Sequence, residues 1–179
     1  MFETARLRLE PLVESHAAEL FNLYSDPRMF DYIPQEPPQS LEMLSSRYRF
    51  LSARQSPEGD EGWFNWAVRE VSQGACIGCI QITLSEDERA KLAYEIGVPF
   101  WRQGYATEAC TAVIAALFES GVSCVWAELD TRNRASIGLL ERLGFTRGAL
   151  RRNADFFKGA SSDEWTYLLE NSWRLTGAP

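Results

Sequence analysis

The residues best suited to chemistry lie in one stretch: Glu95-Ile96-Gly97-Val98-Pro99-Phe100-Trp101-Arg102-Gln103-Gly104-Tyr105-Ala106-Thr107-Glu108-Ala109. The pattern predicts a strand that ends, a short turn, and a long helix that opens at a glycine. The first N–H groups of a helix have no intrahelical partner, and the helix dipole adds positive charge there. Such a junction is an anion site. Gly104 lets an oxygen-rich group approach the backbone closely, Ala106 stays small, and Arg102 adds a positive charge. The chemistry implied is that of a pyrophosphate cradle. The stretch is not a P-loop, because no GK[ST] follows, and it is not GxGxxG.

A second candidate is Asn133-Arg134-Ala135-Ser136, opening a shorter helix over 133–143. By itself it reads as an Asn N-cap and a surface hydroxyl. Cys76-Ile77-Gly78-Cys79 is a CxxC inside a strand-like run, where residues three apart are expected on opposite faces. With no second CxxC or His cluster, these read as ordinary buried cysteines and no metal site is expected. His16 is the one histidine and is expected on the surface of the first helix.

The elements that must position these residues follow from periodicity. Strands are expected at 6–12, 63–70, 75–84, 92–98, 123–129, 145–150 and 163–173. Helices are expected at 15–24, 40–53, 104–120 and 133–143, with Gly121 and Gly144 as stops for the last two. A loop at 29–39 holds Pro34, Pro37 and Pro38. The order β-α-α-β-β-β-α-β-α-β-β, with no linker, predicts one α/β domain over 1–179. Its sheet is mixed and mostly antiparallel, with seven strands and about four flanking helices. Beyond 176–179 no disordered tail is expected.

Composition excludes several functions. The 179 residues carry a net charge of −7, a poor match for phosphate backbones and a better one for amines or basic peptides. No apolar run is long enough for a membrane span, and the N-terminus has no secretory pattern, so a cytoplasmic protein is expected. Nucleic acid and membrane are not expected partners.

Three blocks, in order, resemble the GNAT superfamily of N-acetyltransferases, and more narrowly its RimJ/RimL-type branch. They are Thr4-Ala5-Arg6-Leu7-Arg8-Leu9-Glu10-Pro11, Gly104-Tyr105-Ala106-Thr107-Glu108-Ala109, and Asn133, Ser136, Leu140 with Leu143-Gly144-Phe145. The resemblance implies acetyl-CoA as cosubstrate, no metal, and direct acetyl transfer to a primary amine. The acceptor implied is a protein or peptide N-terminus; a small-molecule amine, or a non-catalytic acyl-CoA module, are the alternatives. Pantetheine would pair along Glu95 to Val98, including Ile96, with the Val98 N–H polarising the thioester. Arg102, Gln103, Gly104, Tyr105, Ala106 and Thr107 would hold the pyrophosphate. Asn133 and Ser136 would face pantetheine and sulfur, Ser136 or a bound water would protonate the leaving thiolate, and Glu95 is the candidate base. Arg142 is a candidate for the adenosine phosphate, and Asp155 and Asp163 for a cationic acceptor; Glu108 is expected to support the helix start. Tyr32 and Phe157 are expected to wall the acceptor cleft. Two residues depart from the family pattern: Trp101 stands where Gln or Arg is usual, and Leu140 where many members carry tyrosine. A monomer or homodimer is expected.

Overall fold

The computed structural model describes residues 1–171. Eight strands form one sheet: β1 (Phe2–Glu3), β2 (Leu7–Pro11), β3 (Glu61–Glu70), β4 (Cys76–Ser85), β5 (Arg89–Ile96), β6 (Cys124–Asp130), β7 (Thr146–Phe157) and β8 (Ala160–Glu170). Their spatial order is β1-β2-β3-β4-β5-β6-β8-β7. Among the described residues only β5 and β6 pair in parallel. Four helices flank the sheet: α1 (His16–Tyr24), α2 (Leu41–Leu51), α3 (Tyr105–Glu119) and α4 (Arg134–Arg142). The predicted α/β class and element order hold. The strand count is eight, because two-residue β1 pairs Phe2 with Leu9 and is too short to show an alternation.

The sheet separates two apolar layers. On one side Leu7, Leu9, Val68, Ile80, Ile82 and Leu92 pack against Ala109, Cys110, Val113 and Leu140 of α3 and α4. On the other, Leu20 and Tyr24 of α1 and Leu44 and Tyr48 of α2 pack against Ala67 and Cys79. Local chemistry starts the helices. Ser40 Oγ accepts from the Met43 N–H at 3.2 Å, and Asn133 Oδ1 accepts from the Ser136 N–H at 3.1 Å.

Four expectations change. First, Cys76 and Cys79 share a layer rather than facing opposite ways. The β3–β4 register pairs Val68 with Gly78 but Arg69 with Cys76, so Ile77 is a bulge that turns the strand by one residue. Both thiols are free and buried; burial pushes Cys76 up to about 12 and Cys79 well above the ordinary range. Second, His16 is buried, 6% exposed, not on the surface. Its Nδ1 accepts from the Val13 N–H at 3.0 Å and its Nε2 lies 3.4 Å from Glu10 Oε1. Third, β7 runs on to Phe157 and forms a tight hairpin with β8 instead of ending near 150. The stretch Arg151-Arg152-Asn153-Ala154-Asp155 lacks an apolar alternation, and two register shifts let it pair nonetheless. Fourth, β5 ends at Ile96: the Gly97 N–H still donates to Ile77 O of β4 at 2.8 Å, and a 3-10 turn over Val98–Phe100 then takes the chain out of the ladder. The expected last strand reached 173; residues 172–173 and the 176–179 tail lie outside the described residues.

Gly78 sets how closely β4 and β5 approach at the start of that turn. A Cβ there would sit 2.1 Å from Glu95 O and 2.9 Å from Ile96 Cα, both backbone atoms that cannot swing aside. Gly78→Ala should therefore lower unfolding free energy by at least about 2 kcal/mol. Urea denaturation of the variant measures it, and an unchanged midpoint would contradict the close approach.

Candidate functional site

The central feature is a parting of strands. β5 pairs with β6 only through Arg89, Ala90 and Lys91, opposite Cys124, Val125 and Trp126. Beyond that, β5 stays with β4 as far as Ile96, while β6 follows β8 to Asp130. A wedge opens between them, and the β6-facing backbone of the second half of β5 has no strand partner. Backbone N–H and C=O groups left in such a gap need water or a ligand.

The N-terminus of α3 follows β5 across the turn. Gly104 is its N-cap with φ +82°, and Arg102 two residues earlier has φ +58°. A left-handed arginine costs about 1–2 kcal/mol; alternating right- and left-handed residues turn successive N–H groups inward, the geometry of an anion nest. The Glu108 N–H is the first to close onto the helix, at 3.0 Å from Gly104 O. The Tyr105, Ala106 and Thr107 N–H groups lie ahead of the ladder, beside the exposed Arg102, Gln103 and Gly104. The Val98 N–H donates to none of the described residues, whereas its neighbours Gly97, Phe100 and Trp101 all have backbone partners.

Trp101 has a structural task. Its indole Nε1 donates to Ile96 O at 2.6 Å, capping the last residue of β5, and the ring remains 43% exposed. The Gln103 side chain is also committed, donating to Pro99 O at 2.9 Å, so Gln103 has its backbone to offer at the nest.

Glu108 supports the helix start, as expected. Its carboxylate accepts from Thr4 Oγ1 at 2.6 Å, the Arg6 N–H at 2.9 Å and Arg6 Nε at 2.7 Å. The Arg6 guanidinium also donates to Gln103 O at 2.9 Å and lies 4.5 Å over the Tyr105 ring. The N-terminal block thereby holds the nest in place from below.

Two consecutive residues of β5 serve opposite faces. Glu95 points to the α1/α2 side, where the Cys79 thiol lies 3.7 Å from Oε2 and accepts from the Tyr24 hydroxyl at 3.2 Å. The Tyr48 hydroxyl is buried in the same cluster without a partner. Burial pushes both tyrosines upward, and the Glu95 carboxylate adds to it. Tyr94 points to the α3/α4 side. Its hydroxyl is buried; burial raises its pKa, while the Ser136 side chain acts the other way. None of Tyr24, Tyr48, Cys79 and Tyr94 was among the expected site residues. Period-2 alternation next to Glu95 carries a signal for Tyr94 alone; the others meet Glu95 through tertiary packing.

Asn133 caps α4, which is the bland reading of its sequence, and it holds Ser136 half-buried in the first turn. Leu140, a departure from the resembled pattern, is 0% exposed and sealed in the core. Arg142 lines a groove between α3 and α4 with Thr107, Thr111, Ile114, Ala115 and Leu143.

The far wall joins two loops. Lys158 and Gly159 form the β7–β8 turn with φ +50° and +75°. The Lys158 ammonium reaches across to the carbonyls of Phe30, Ile33 (3.1 Å) and Gln35 (3.4 Å), tying the hairpin to the α1–α2 loop that carries Tyr32. Phe157 is buried beneath Arg132, which is 5.9 Å over its ring. The two expected acceptor aspartates serve their own hairpin: Asp163 Oδ1 accepts from the Asn153 N–H at 2.8 Å, and Asp155 Oδ1 from the Phe156 N–H at 2.7 Å. Among the described residues no cluster of His, Cys, Asp or Glu has metal-binding geometry, and no helix is long and apolar enough to cross a membrane.

The acetyltransferase (GNAT) domain family matches residues 6–146. The chain is 28% identical to the uncharacterized N-acetyltransferase YoaA of Bacillus subtilis (strain 168) over 173 residues, 94% of this chain and 96% of that protein. It is 29% identical to the [ribosomal protein bS18]-alanine N-acetyltransferase of Escherichia coli (strain K12) over 93 residues, 52% of this chain and 62% of that one. Its fold superposes on RimL, a ribosomal L7/L12 alpha-N-protein acetyltransferase solved with coenzyme A, with TM-score 0.84 at 17% identity over 93% and 95% of the two chains.

The bracket on Glu108 generates a pH dependence. Partial burial pushes the Glu108 carboxyl up, but the Thr4 and Arg6 hydrogen bonds outweigh it and hold the group below its usual 4.5. The unfolded chain therefore takes up the proton first as pH falls, and the bracket's stabilisation is lost as pH drops through the lowered folded value. Glu108→Gln should melt earlier than the wild type at neutral pH, with the gap closing as pH falls below the usual 4.5. Melting temperatures across that range measure it; a gap independent of pH would contradict the assignment.

Proposed function

This chain belongs to the GNAT family of acetyl-CoA-dependent N-acetyltransferases, and from that premise we propose that its acceptor is a protein or peptide N-terminal α-amine. The acetyl group passes by direct attack of the neutral amine on the thioester carbon. A free α-amine with pKa ~7.8 is roughly a quarter neutral near pH 7.4, whereas a lysine at ~10.4 is only about 0.1% neutral. The α-amine therefore asks little of a base. The observation that carries this reading is the acceptor side of β5, which presents Glu95, while the one histidine, His16, is buried against Glu10 and Val13. The relatives named for ribosomal-protein N-termini support the same acceptor class.

Each group then has a task. The pantetheine arm carries two amides, and a strand edge is the natural partner for an extended amide chain. It lies in the β5–β6 wedge along Glu95, Ile96 and Val98. The Val98 N–H donates to the thioester oxygen as negative charge develops there. The N–H groups of Gln103, Gly104, Tyr105, Ala106 and Thr107 surround the pyrophosphate, with Arg102 supplying charge. Asn133 fixes the first turn of α4, so that Ser136 faces the sulfur end of pantetheine. Arg142 and its groove receive the adenosine phosphate. Glu95, directly or through water, takes the proton that the amine loses on attack. The loop carrying Tyr32 and the β7–β8 hairpin wall the acceptor cleft, and the net charge of −7 favours a cationic approach.

The acceptor is tested by CoA release from acetyl-CoA with a panel of amines. Peptides with a free Ser, Ala or Met N-terminus should turn over. A peptide with a blocked N-terminus and an internal Lys should not, nor should polyamines or aminoglycosides. Turnover with the small amines alone would overturn the α-amine reading in favour of a metabolite or drug acceptor.

A further inference from the structure

β5 lies in the interior of the sheet, yet Ala93 within it is exposed. Its neighbour Leu92 is buried in the α3/α4 layer, so alternation turns Ala93 to the other face, the one that carries Glu95. The α1/α2 layer covers Ala67 and Cys79, one row nearer the end of β5. On the far side β6 has already parted from β5, after Lys91. The floor of the sheet is therefore open at Ala93.

Cross-strand register sets Asn65 of β3, Gln81 of β4 and Ala93 side by side in one row. Two carboxamides thus flank the opening, and they do not bond to one another. Asn65 Nδ2 is buried and without a partner among the described residues. Gln81 Nε2 makes a long contact with Cys79 Sγ at 3.7 Å, so the Gln81 head group leans towards the row of Cys79 and Glu95. That contact uses a donor and leaves the Gln81 carbonyl oxygen, with two lone pairs, to accept.

The direction in which an acceptor chain would lie follows from topology. β5 and β6 are parallel, so the β7–β8 turn, past the pairing of Asp130 with Glu164, belongs to the Glu95 end. There the Lys158 ammonium crosses to the carbonyls of the α1–α2 loop. A chain with its amine at Glu95 runs back over Ala93 towards Lys91. An extended chain advances about 3.3–3.4 Å per residue, as β5 does, so its first peptide group falls between Glu95 and Ala93 and its third residue over Ala93. Gln81 leans into that interval. A lysine ammonium is preceded by four methylenes instead, which would cover the Gln81 amide and leave it unpaired. A polyamine would do the same.

We propose, on the premise of an N-terminal α-amine acceptor, that Gln81 reads the first peptide group of the acceptor across the open floor at Ala93. Gln81 Oε1 accepts from the first peptide N–H, and Asn65 stands behind Gln81 in the row. The peptide group, and not the amine alone, thereby separates a chain N-terminus from a lysine or a polyamine.

The test changes substrate and protein together. A peptide beginning Ser-Ala is compared with its depsipeptide, in which an ester oxygen replaces the first peptide N–H. At about pH 9 both amines are mostly neutral. Wild-type kcat/KM should favour the peptide by about tenfold. Gln81→Leu should bring the two substrates to within about twofold, with CoA affinity at the wild-type value as the check on folding. Ala93→Leu, which fills the floor, should remove the gain in kcat/KM that the wild type shows from serinamide to a pentapeptide. A wild-type protein that turns over peptide and depsipeptide alike would overturn the role of Gln81, even if Gln81→Leu failed to fold. So would a Gln81→Leu protein that keeps the preference. A wild-type protein that turns over no peptide with a free N-terminus would overturn the α-amine reading itself, and the role of Gln81 with it.

Discussion

β5 has two neighbours and keeps only one of them. Its antiparallel ladder with β4 runs from Ala90 to Ile96, but its parallel ladder with β6 stops at Lys91. A sheet opened in its middle exposes backbone groups that a closed sheet would pair, and such groups bind whatever amide-rich chain fits. The opening has identifiable causes. Gly78 allows β4 to hold the end of β5 at a distance that no side chain would permit. β6 is drawn the other way by its full pairing with β8. The Trp101 indole then caps Ile96 and starts the turn towards α3. Wedge and nest are consequences of one strand ending where it does.

Around the opening, charged side chains act as ties. Exposed ion pairs contribute little each, about 0–1 kcal/mol, yet geometry gives some of them a positional role. Glu108 gathers Thr4 and Arg6 under the nest. Lys158 fastens the β7–β8 hairpin to the α1–α2 loop through three carbonyls. The first tie makes the Thr4-Ala5-Arg6 block and the Gly104 block one structural unit, although about a hundred residues of chain separate them. The second tie keeps the β7–β8 turn and the α1–α2 loop together.

Much of this was legible in the sequence, and the limits are physical. The helices of the α3 and α4 region show because long apolar stripes and glycine stops are local signals. A glycine at a strand–helix junction is a weak signal by itself, so the junction stands out only through the block Gly104-Tyr105-Ala106-Thr107-Glu108-Ala109 as a whole. The bulge at Ile77 was not, since one extra residue leaves no composition signal, and it reversed the expected placement of the two cysteines. His16 is buried for a related reason: Glu14, Ser15 and Glu19 near it in sequence suggest a surface, but its contacts are Glu10 and the Val13 backbone across a turn. The polar half of β7 escaped because β8 holds it through backbone pairing rather than through an apolar face. Within the site, Glu95 could be read from its place at the strand end. The Tyr24–Cys79 contact below it, and the meeting of Tyr94 with α4, depend on packing between elements distant in sequence.

The account therefore centres on a single claim: the opened edge of β5 and the start of α3 form one continuous coenzyme seat. Amide chemical-shift mapping with added CoA tests it most directly. The account predicts that the largest changes fall on Val98, Tyr105, Ala106 and Thr107 and on the second half of β5, and that Gly104→Glu abolishes them. Saturable CoA binding that leaves those amides unmoved, or that survives Gly104→Glu intact, would contradict it.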